Sequence, residues 1–422
     1  MRRLYTLLLY LALPFASLVV ALRGLTEREY WRGGWARFGF GPPRAGGGIW
    51  VHAVSVGEVQ AAAVLIEALR ARSPALEITL SCATPTGRAR GRALLPGLDV
   101  RYGPYDLPGC VRRCLNGLRP RMLIVLETEL WPNLLHATQA AGVPTLIASA
   151  RVSERSARFY QRLPGLLRAS LGAAVWVGAQ TEADAQRFIA LGVPAQRAAV
   201  VGNIKFDRAL PPGVLTRGAQ LRARYAAGRA VWVAGSTHAG EEPIVLEAHR
   251  RLCEAQPRAL LILAPRHPQR AEAAAALAAA QGFRCIRRST ESSADDYQVL
   301  LLDTLGELPE FYAAADVAFV GGSLVAIGGH NLLEPAALGL PVLSGPQQFN
   351  SPEVARALRG QGALIIVHDA AELAAALTRL LADPQARATQ GAAGRAAIAA
   401  NRGALERLLG LIERLPPTPS EA

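Results

Sequence analysis

Residues 315–346, ADVAFVGGSLVAIGGHNLLEPAALGLPVLSGP, constrain the fold more than any other stretch. The apolar run Val317 to Val320 reads as a strand buried on both faces, the pattern of a parallel sheet covered by helices. It empties into Gly321, Gly322 and Ser323, where backbone comes close to a ligand, as in a phosphate-binding turn. Gly328 and Gly329 then precede His330, Asn331 and a helix start. Two caps compete there. Asn331 with Glu334 would form a capping box; alternatively Pro335 takes the first helical position and leaves the Glu334 carboxylate at the mouth of the strand layer. The second suits the proline better and offers an acid to a nucleotide's ribose hydroxyls.

Short apolar runs at 49–55, 76–82, 100–102, 122–126, 145–148, 175–178 and 200–201 alternate with helical patterns, and the alternation returns at 230–234, 260–263, 299–302, 317–320, 342–343 and 364–367. Such alternation predicts an α/β chain with doubly wound parallel sheets. At 422 residues the chain suits two such domains. The breaker cluster Leu210-Pro211-Pro212-Gly213 marks the linker, giving domains at 46–210 and 211–415 and a disordered tail at 416–422.

Sheets of this kind bind ligands beyond the carboxyl ends of their strands. In the first domain that edge collects His52, Ser55, Glu58, Thr84, Thr86, Glu127, Glu129 and Trp131. Glu58 either faces a ligand or favours the positive end of its helix. Glu127 and Glu129 follow a buried strand directly and have no structural need to be there. In the second domain the edge collects Ser236, His238, Arg266, His267 and His330, and the helix near Glu241 aims its N-terminus at the loop after its strand, an anion site by geometry. The histidines straddle two domains without metal-ligand spacing, which favours hydrogen bonding to a ligand over a metal. No Asp-x-Asp occurs, so a nucleotide-sugar enzyme of this sequence would stabilise its leaving group with protein groups, without metal or cofactor.

The net charge of +13 calls for an acidic partner: a phosphorylated substrate or an anionic membrane surface, rather than nucleic acid, whose binding motifs are missing. Arg151, Arg155, Arg158, Arg162 and Arg168 form either a solvated helix face or an acceptor patch. Among 46 basic residues Lys205 is the single lysine, beside the linker, where a compact ammonium differs from a guanidinium fork. Five cysteines without a disulfide spacing fit a reducing compartment.

Residues 4–22 are long and apolar enough to cross a bilayer core of ~30 Å. Arg2 and Arg3 could instead begin a cleaved signal peptide. The heavier positive charge after the span, at Arg23, Arg28, Arg32, Arg37 and Arg44, favours a single-pass anchor (1–22) with the main body on the cytoplasmic side. Residues 23–45 mix Trp31 and Trp35 with arginines, as an interfacial connector does. The anchor is expected to hold the chain without shaping the site.

In order along the chain, WVHAVSVGE, ETELWPN, GNIKFD, GSTH, PRHP and GGSLVAIGGHNLLEPAALGLPV closely resemble the 3-deoxy-D-manno-octulosonic acid (Kdo) transferases of lipopolysaccharide assembly. The resemblance implies a GT-B glycosyltransferase, with two Rossmann-like domains facing across a cleft, at the cytoplasmic face of the inner membrane. The donor would be CMP-Kdo on the second domain. The acceptor would be the lipid A precursor, a tetraacylated, phosphorylated glucosamine disaccharide, on the first. By the same resemblance Glu58 is the catalytic base; Ser236, Arg266, His267, Gly322, Asn331 and Glu334 surround CMP, and Lys205 lies near its phosphate. A membrane-associated GT-B enzyme using a UDP-sugar shares the architecture. A periplasmic two-lobed binding protein shares the leader and the two lobes.

Overall fold

The computed structural model describes residues 1–26, 28–162, 164–172, 175–290 and 296–415. The tail expected to be disordered, 416–422, lies outside the described residues.

The chain divides into two units, 1–208 together with 401–422, and 209–400. In the first, seven parallel strands, β1 (Ile49–His52), β2 (Ile78–Cys82), β3 (Asp99–Tyr102), β4 (Met122–Leu126), β5 (Thr145–Ala150), β6 (Val175–Ala179) and β7 (Ala198–Val200), pair in the order β3-β2-β1-β4-β5-β6-β7. Because side chains alternate across a strand, β1 sends Ile49 and Val51 into one apolar layer with Leu65 and Leu80, and Trp50 into the other with Leu123 and Leu134. Both faces are therefore dry, and ligand access is left to the strand ends.

The second unit repeats the design with β8 (Val231–Thr237), β9 (Leu260–Pro265), β10 (Cys285–Arg287), β11 (Val299–Leu301), β12 (Val317–Val320), β13 (Val342–Ser344) and β14 (Leu364–Ile366), in the order β10-β11-β9-β8-β12-β13-β14. In both units the strand order reverses beside the first strand, the switch point at which such sheets bind ligands.

The second unit ends near Ala400 and not at residue 415. The last helix, Ala404–Glu413, returns to the first unit and buries Leu408, Leu409 and Leu411 in the layer that holds Val51 and Ile124. Its start is capped from far away. Asp207 accepts the N–H groups of Gly403 (2.6 Å) and Leu405 (2.7 Å), which a local side chain would otherwise have to satisfy. The expected boundary fails because a composition break marks where a linker runs, whereas the destination of an amphipathic helix depends on which apolar groove is open.

Residues 2–26 form one helix of 25 residues, Arg2–Thr26, passing Pro14. Its first turn meets the first unit: Tyr5 donates its hydroxyl to Asp106 (2.9 Å) and Thr6 donates to Asn133 (3.1 Å). After it come two short 3-10 turns, Arg28–Tyr30 and Gly34–Phe38, with Trp31 and Trp35 exposed.

Candidate active site

In the first unit Glu58 occupies the third position of the helix Val56–Arg72, whose N-cap is Ser55. Its carboxylate turns back over the turn it starts, accepting from Ser55 Oγ at 2.7 Å and from the Val54 N–H at 2.8 Å. The carboxylate is thus fixed by its contacts with the helix cap at the carboxyl end of β1. It is 8% exposed. Burial, reinforced by the charge of Glu129 and opposed by the Ser55 and Val54 hydrogen bonds, pushes its pKa up to about 7.

Two further carboxylates gather there. Glu127 follows β4 in a left-handed backbone conformation, φ 55°, which few non-glycine residues adopt and which clusters at functional sites. One of its oxygens lies 2.5 Å from Lys205 Nζ and the other accepts from Arg151 Nε at 3.2 Å. Glu129 takes the indole N–H of Trp131 at 2.7 Å, and its pKa is raised by burial more than that bond lowers it. The chemistry is thus divided. Glu127 is matched by two cations, whereas Glu58 has only neutral donors and is free to exchange a proton near neutral pH.

His52 sits inside the first unit, behind the strand-end edge. It is fully buried, shares a 2.7 Å hydrogen bond with Ser81, and lies against the Trp131 ring at 4.5 Å. Burial holds its pKa down to about 4. Thr84 caps the helix Pro85–Leu94 by accepting the Gly87 N–H. Cys110 and Cys114 are buried thiols.

Lys205 belongs to the first unit, in the turn Ile204–Asp207. Removing one partner of a buried ion pair costs roughly 3–5 kcal/mol. Because Arg151 remains on Glu127 and Lys205 keeps some solvent contact, Lys205→Met is expected to destabilise the first unit by about 2 kcal/mol. Denaturant unfolding of Lys205→Met, Glu127→Gln and the double variant measures this: strict additivity would show that the pair contributes nothing.

In the second unit Ser236 bulges from β8 with φ 59°, at the register shift between Gly235 and Thr237. Arg266 and His267 follow β9, and the Arg266 N–H bonds to the Thr237 carbonyl at 2.9 Å. His330 shares a 2.8 Å Nε2 to Nε2 hydrogen bond with His238, the two rings stacked, and His267 stands edge-on to His238. Burial, then the neighbouring His238, Arg266 and His267, drive the His330 pKa down to about 3, and burial lowers that of His238 as well. Gly322, at φ 70°, lies so close that a Cβ would stand 2.8 Å from the His330 ring. Among the described residues no group of three or more His, Cys, Asp or Glu could hold a metal ion.

The loop after β12 is not an open phosphate cradle. Glu241, fully buried, fills it with its own carboxylate, accepting from the N–H groups of Gly322 (2.7 Å), Ser323 (2.9 Å) and Leu324 (2.9 Å), and from His238 N–H (2.9 Å). A nest of backbone donors requires an anion, and the protein supplies it internally. Neither expected cap placement holds for the next helix, Leu333–Leu338. Asn331 accepts the Leu333 N–H at 3.1 Å, Glu334 is the second helical residue and Pro335 the third. Proline is tolerated there because the first turn's N–H groups have no intrahelical acceptor. Glu334 lies within electrostatic reach of buried Tyr312.

Residues 32–208 match the family described as 3-deoxy-D-manno-octulosonic-acid transferase (kdotransferase), and residues 243–397 match glycosyl transferases group 1. A 3-deoxy-D-manno-octulosonic acid transferase of Haemophilus influenzae is 39% identical over 98% of this chain and 98% of its own length. One from Bordetella pertussis is 41% identical over 93% and 97%. This chain belongs to the Kdo transferase family. It is a glycosyltransferase. In fold it is similar to a UDP-GlcNAc 2-epimerase structure from Neisseria meningitidis, which covers 87% of this chain and 99% of its own with a TM-score of 0.58 at 14% identity. The C-terminal CMP-Kdo binding domain of WaaA from Acinetobacter baumannii is 32% identical over 47% of this chain and 98% of its own, with a TM-score of 0.40.

In this Kdo transferase family member the structure brings Glu58, Glu127, Glu129 and Lys205 together in one unit, and His267, Gly322 and the strand-end residues Ser236 and Arg266 to one sheet edge of the other. Sequence reasoning missed the parts of Arg151 and Glu241. Two consecutive acids at a helix start, Glu241 and Glu242, both buried, were the available signal for the second.

Proposed function

We propose that this chain transfers Kdo from CMP-Kdo to the lipid A precursor, a tetraacylated, phosphorylated glucosamine disaccharide, with Glu58 as general base. The observation that carries the chemistry is the Glu58 carboxyl, buried, held by Ser55 and Val54, and raised to about 7. A base whose pKa lies near the working pH is the most effective. Glu58 removes the proton of the acceptor hydroxyl as its oxygen bonds to the anomeric carbon of Kdo; the bond to the phosphate oxygen breaks and CMP leaves. That Kdo is the group transferred is supported by the names of the relatives in Haemophilus influenzae and Bordetella pertussis.

In this reading Ser236, Arg266, His267, Gly322, Asn331 and Glu334 receive the nucleotide, while Lys205, Glu127 and Glu129 form the acidic and basic surround of the acceptor hydroxyl. Because Glu241 already fills the Gly322–Leu324 donors, the donor's phosphate charge falls to cationic side chains, Arg266 foremost. The protein works at the cytoplasmic face of the inner membrane, held there by its apolar first helix. Purified enzyme, CMP-Kdo and the precursor should give a product heavier by Kdo, with release of CMP, in mass spectrometry. No product from CMP-Kdo, with turnover of a UDP-sugar instead, would overturn the reading.

A further inference from the structure

His238 and His330 belong to different loops of the second unit and meet where its strand order reverses. β8 ends at Thr237, directly before His238, and β12, its neighbour in the sheet, feeds the glycine loop that ends in His330. Their Nε2 atoms are 2.8 Å apart, with the ring planes at 10° and the centroids 5.0 Å apart. This contact fixes where the protons are. Two Nε2–H groups would meet proton to proton, and two bare nitrogens would have nothing to share, so one Nε2 proton lies between the rings. The ring that accepts it has a bare Nε2 and must carry its own proton on Nδ1, since an imidazole with neither proton would be an anion. That holds whether the other ring is neutral or charged.

The Nδ1–H is left over. Among the described residues neither Nδ1 of the pair has a hydrogen-bond partner in the protein, and neither is sealed in the interior. Both side chains are half-buried. A folded protein satisfies its fixed donors, so a donor held ready at a strand-end edge suits an acceptor that a ligand brings. The surroundings say which kind. His267 stands edge-on to His238 with centroids 5.6 Å apart, Gly322 lies against the His330 ring, and Arg266 acts electrostatically on both rings. The backbone donors of the same loop are already taken, because Glu241 accepts the N–H groups of Gly322, Ser323 and Leu324. An anion arriving here must therefore be met by side chains.

We propose that His238 and His330 work as one hydrogen-bonding unit that donates its Nδ1–H to the phosphate of the sugar nucleotide. A phosphate oxygen accepts and does not donate, so the ring with the Nδ1–H meets it. The other ring holds that tautomer in place by donating its Nε2–H. This use of the pair rests on the reading that the edge receives CMP-Kdo, and it adds two residues to those that receive the nucleotide. It gives the phosphate a second, fixed donor beside the Arg266 cation, one that is joined to both β8 and β12 and so keeps the two loops in register.

The test compares CMP with cytidine, which lacks only the phosphate, by calorimetric titration of the purified full chain in detergent. His238→Phe and His330→Phe keep a flat ring and remove the shared hydrogen bond. Each is expected to weaken CMP binding by about 10–100-fold, the usual effect of a hydrogen bond to a charged group, with cytidine binding unchanged. Because one proton arrangement serves both rings, the double variant should lose little more than either single one. His238→Gln and His330→Gln are gentler replacements, whose amides can still reach the partner ring. At the position that meets the phosphate, Gln lacks the Nδ1–H and CMP affinity should fall; at the other it should stay near wild type. Wild-type CMP affinity in both Gln variants, or an equal loss of CMP and cytidine in the Phe variants, would overturn the proposal while the donor reading stands on the wild-type titration. A wild-type chain that binds no CMP would overturn both.

Discussion

Glu58→Gln is expected to lower transfer turnover by roughly 10²–10⁴-fold, the usual contribution of a positioned base, or about 3–5 kcal/mol of barrier. The amide keeps an oxygen for the Val54 N–H and can still meet Ser55 Oγ, so the helix start survives and thermal unfolding should stay near wild type. Donor binding should also persist. The pH dependence separates this from loss of a cap. With a pKa near 7, Glu58 must be deprotonated to act, so wild-type turnover should climb as pH rises through about 7 and then level off. Stability runs the other way. The folded carboxyl binds its proton more tightly than the unfolded one, so the stability linked to this group is fully present at low pH and falls as pH rises from the ordinary carboxylate range to about 7. A variant that turns over at a near-normal rate would move the base to Glu129. One that fails to fold would make Glu58 a cap alone.

Glu241→Ala should damage the second unit more than any other single change in its loops. Four backbone N–H groups, from His238, Gly322, Ser323 and Leu324, lose their acceptor at once. A buried donor left without a partner costs about 1–3 kcal/mol. Even with water entering the space, a loss on the order of 4 kcal/mol is expected, together with faster amide exchange at Gly322, Ser323 and Leu324. Glu241→Gln retains one acceptor oxygen but turns an NH2 toward backbone donors, and should fall between the two. Unfolding free energies equal to wild type in both variants would show that the loop holds its shape without the carboxylate. In the proposed reading the connection to activity is short, because Gly322 lies against the His330 ring and Asn331 accepts the Leu333 N–H at the start of the next helix.

Much of the architecture is legible in the chain. Buried parallel strands write themselves as short apolar runs, and helices between them as longer amphipathic ones, because both patterns are set by which faces meet solvent. Among the described residues only the faintest strand, Cys285–Arg287, partly exposed at the sheet edge, escaped such reading. The acids of the ETELWPN segment are legible for a similar reason: a charge directly after a dry strand is conspicuous.

What sequence spacing by itself determined is therefore the α/β alternation, the two strand-end edges, the apolar first helix and the membership of Glu58, Glu127 and Glu129 in one of those edges. Tertiary structure decided the rest, because each remaining question concerned a partner distant along the chain. Lys205 meets Glu127 across 78 positions, the difference of their residue numbers, and nothing near either one predicts it. Asp207 caps a helix whose residues begin at 404, which draws the end of the chain into the first unit. Glu241 reaches Gly322 and turns an apparent phosphate loop into a filled one. The Glu58 pKa likewise follows from burial and from Glu129, which only the folded sheet supplies: ionisation depends on what surrounds a carboxylate in space, and the chain order carries no record of that.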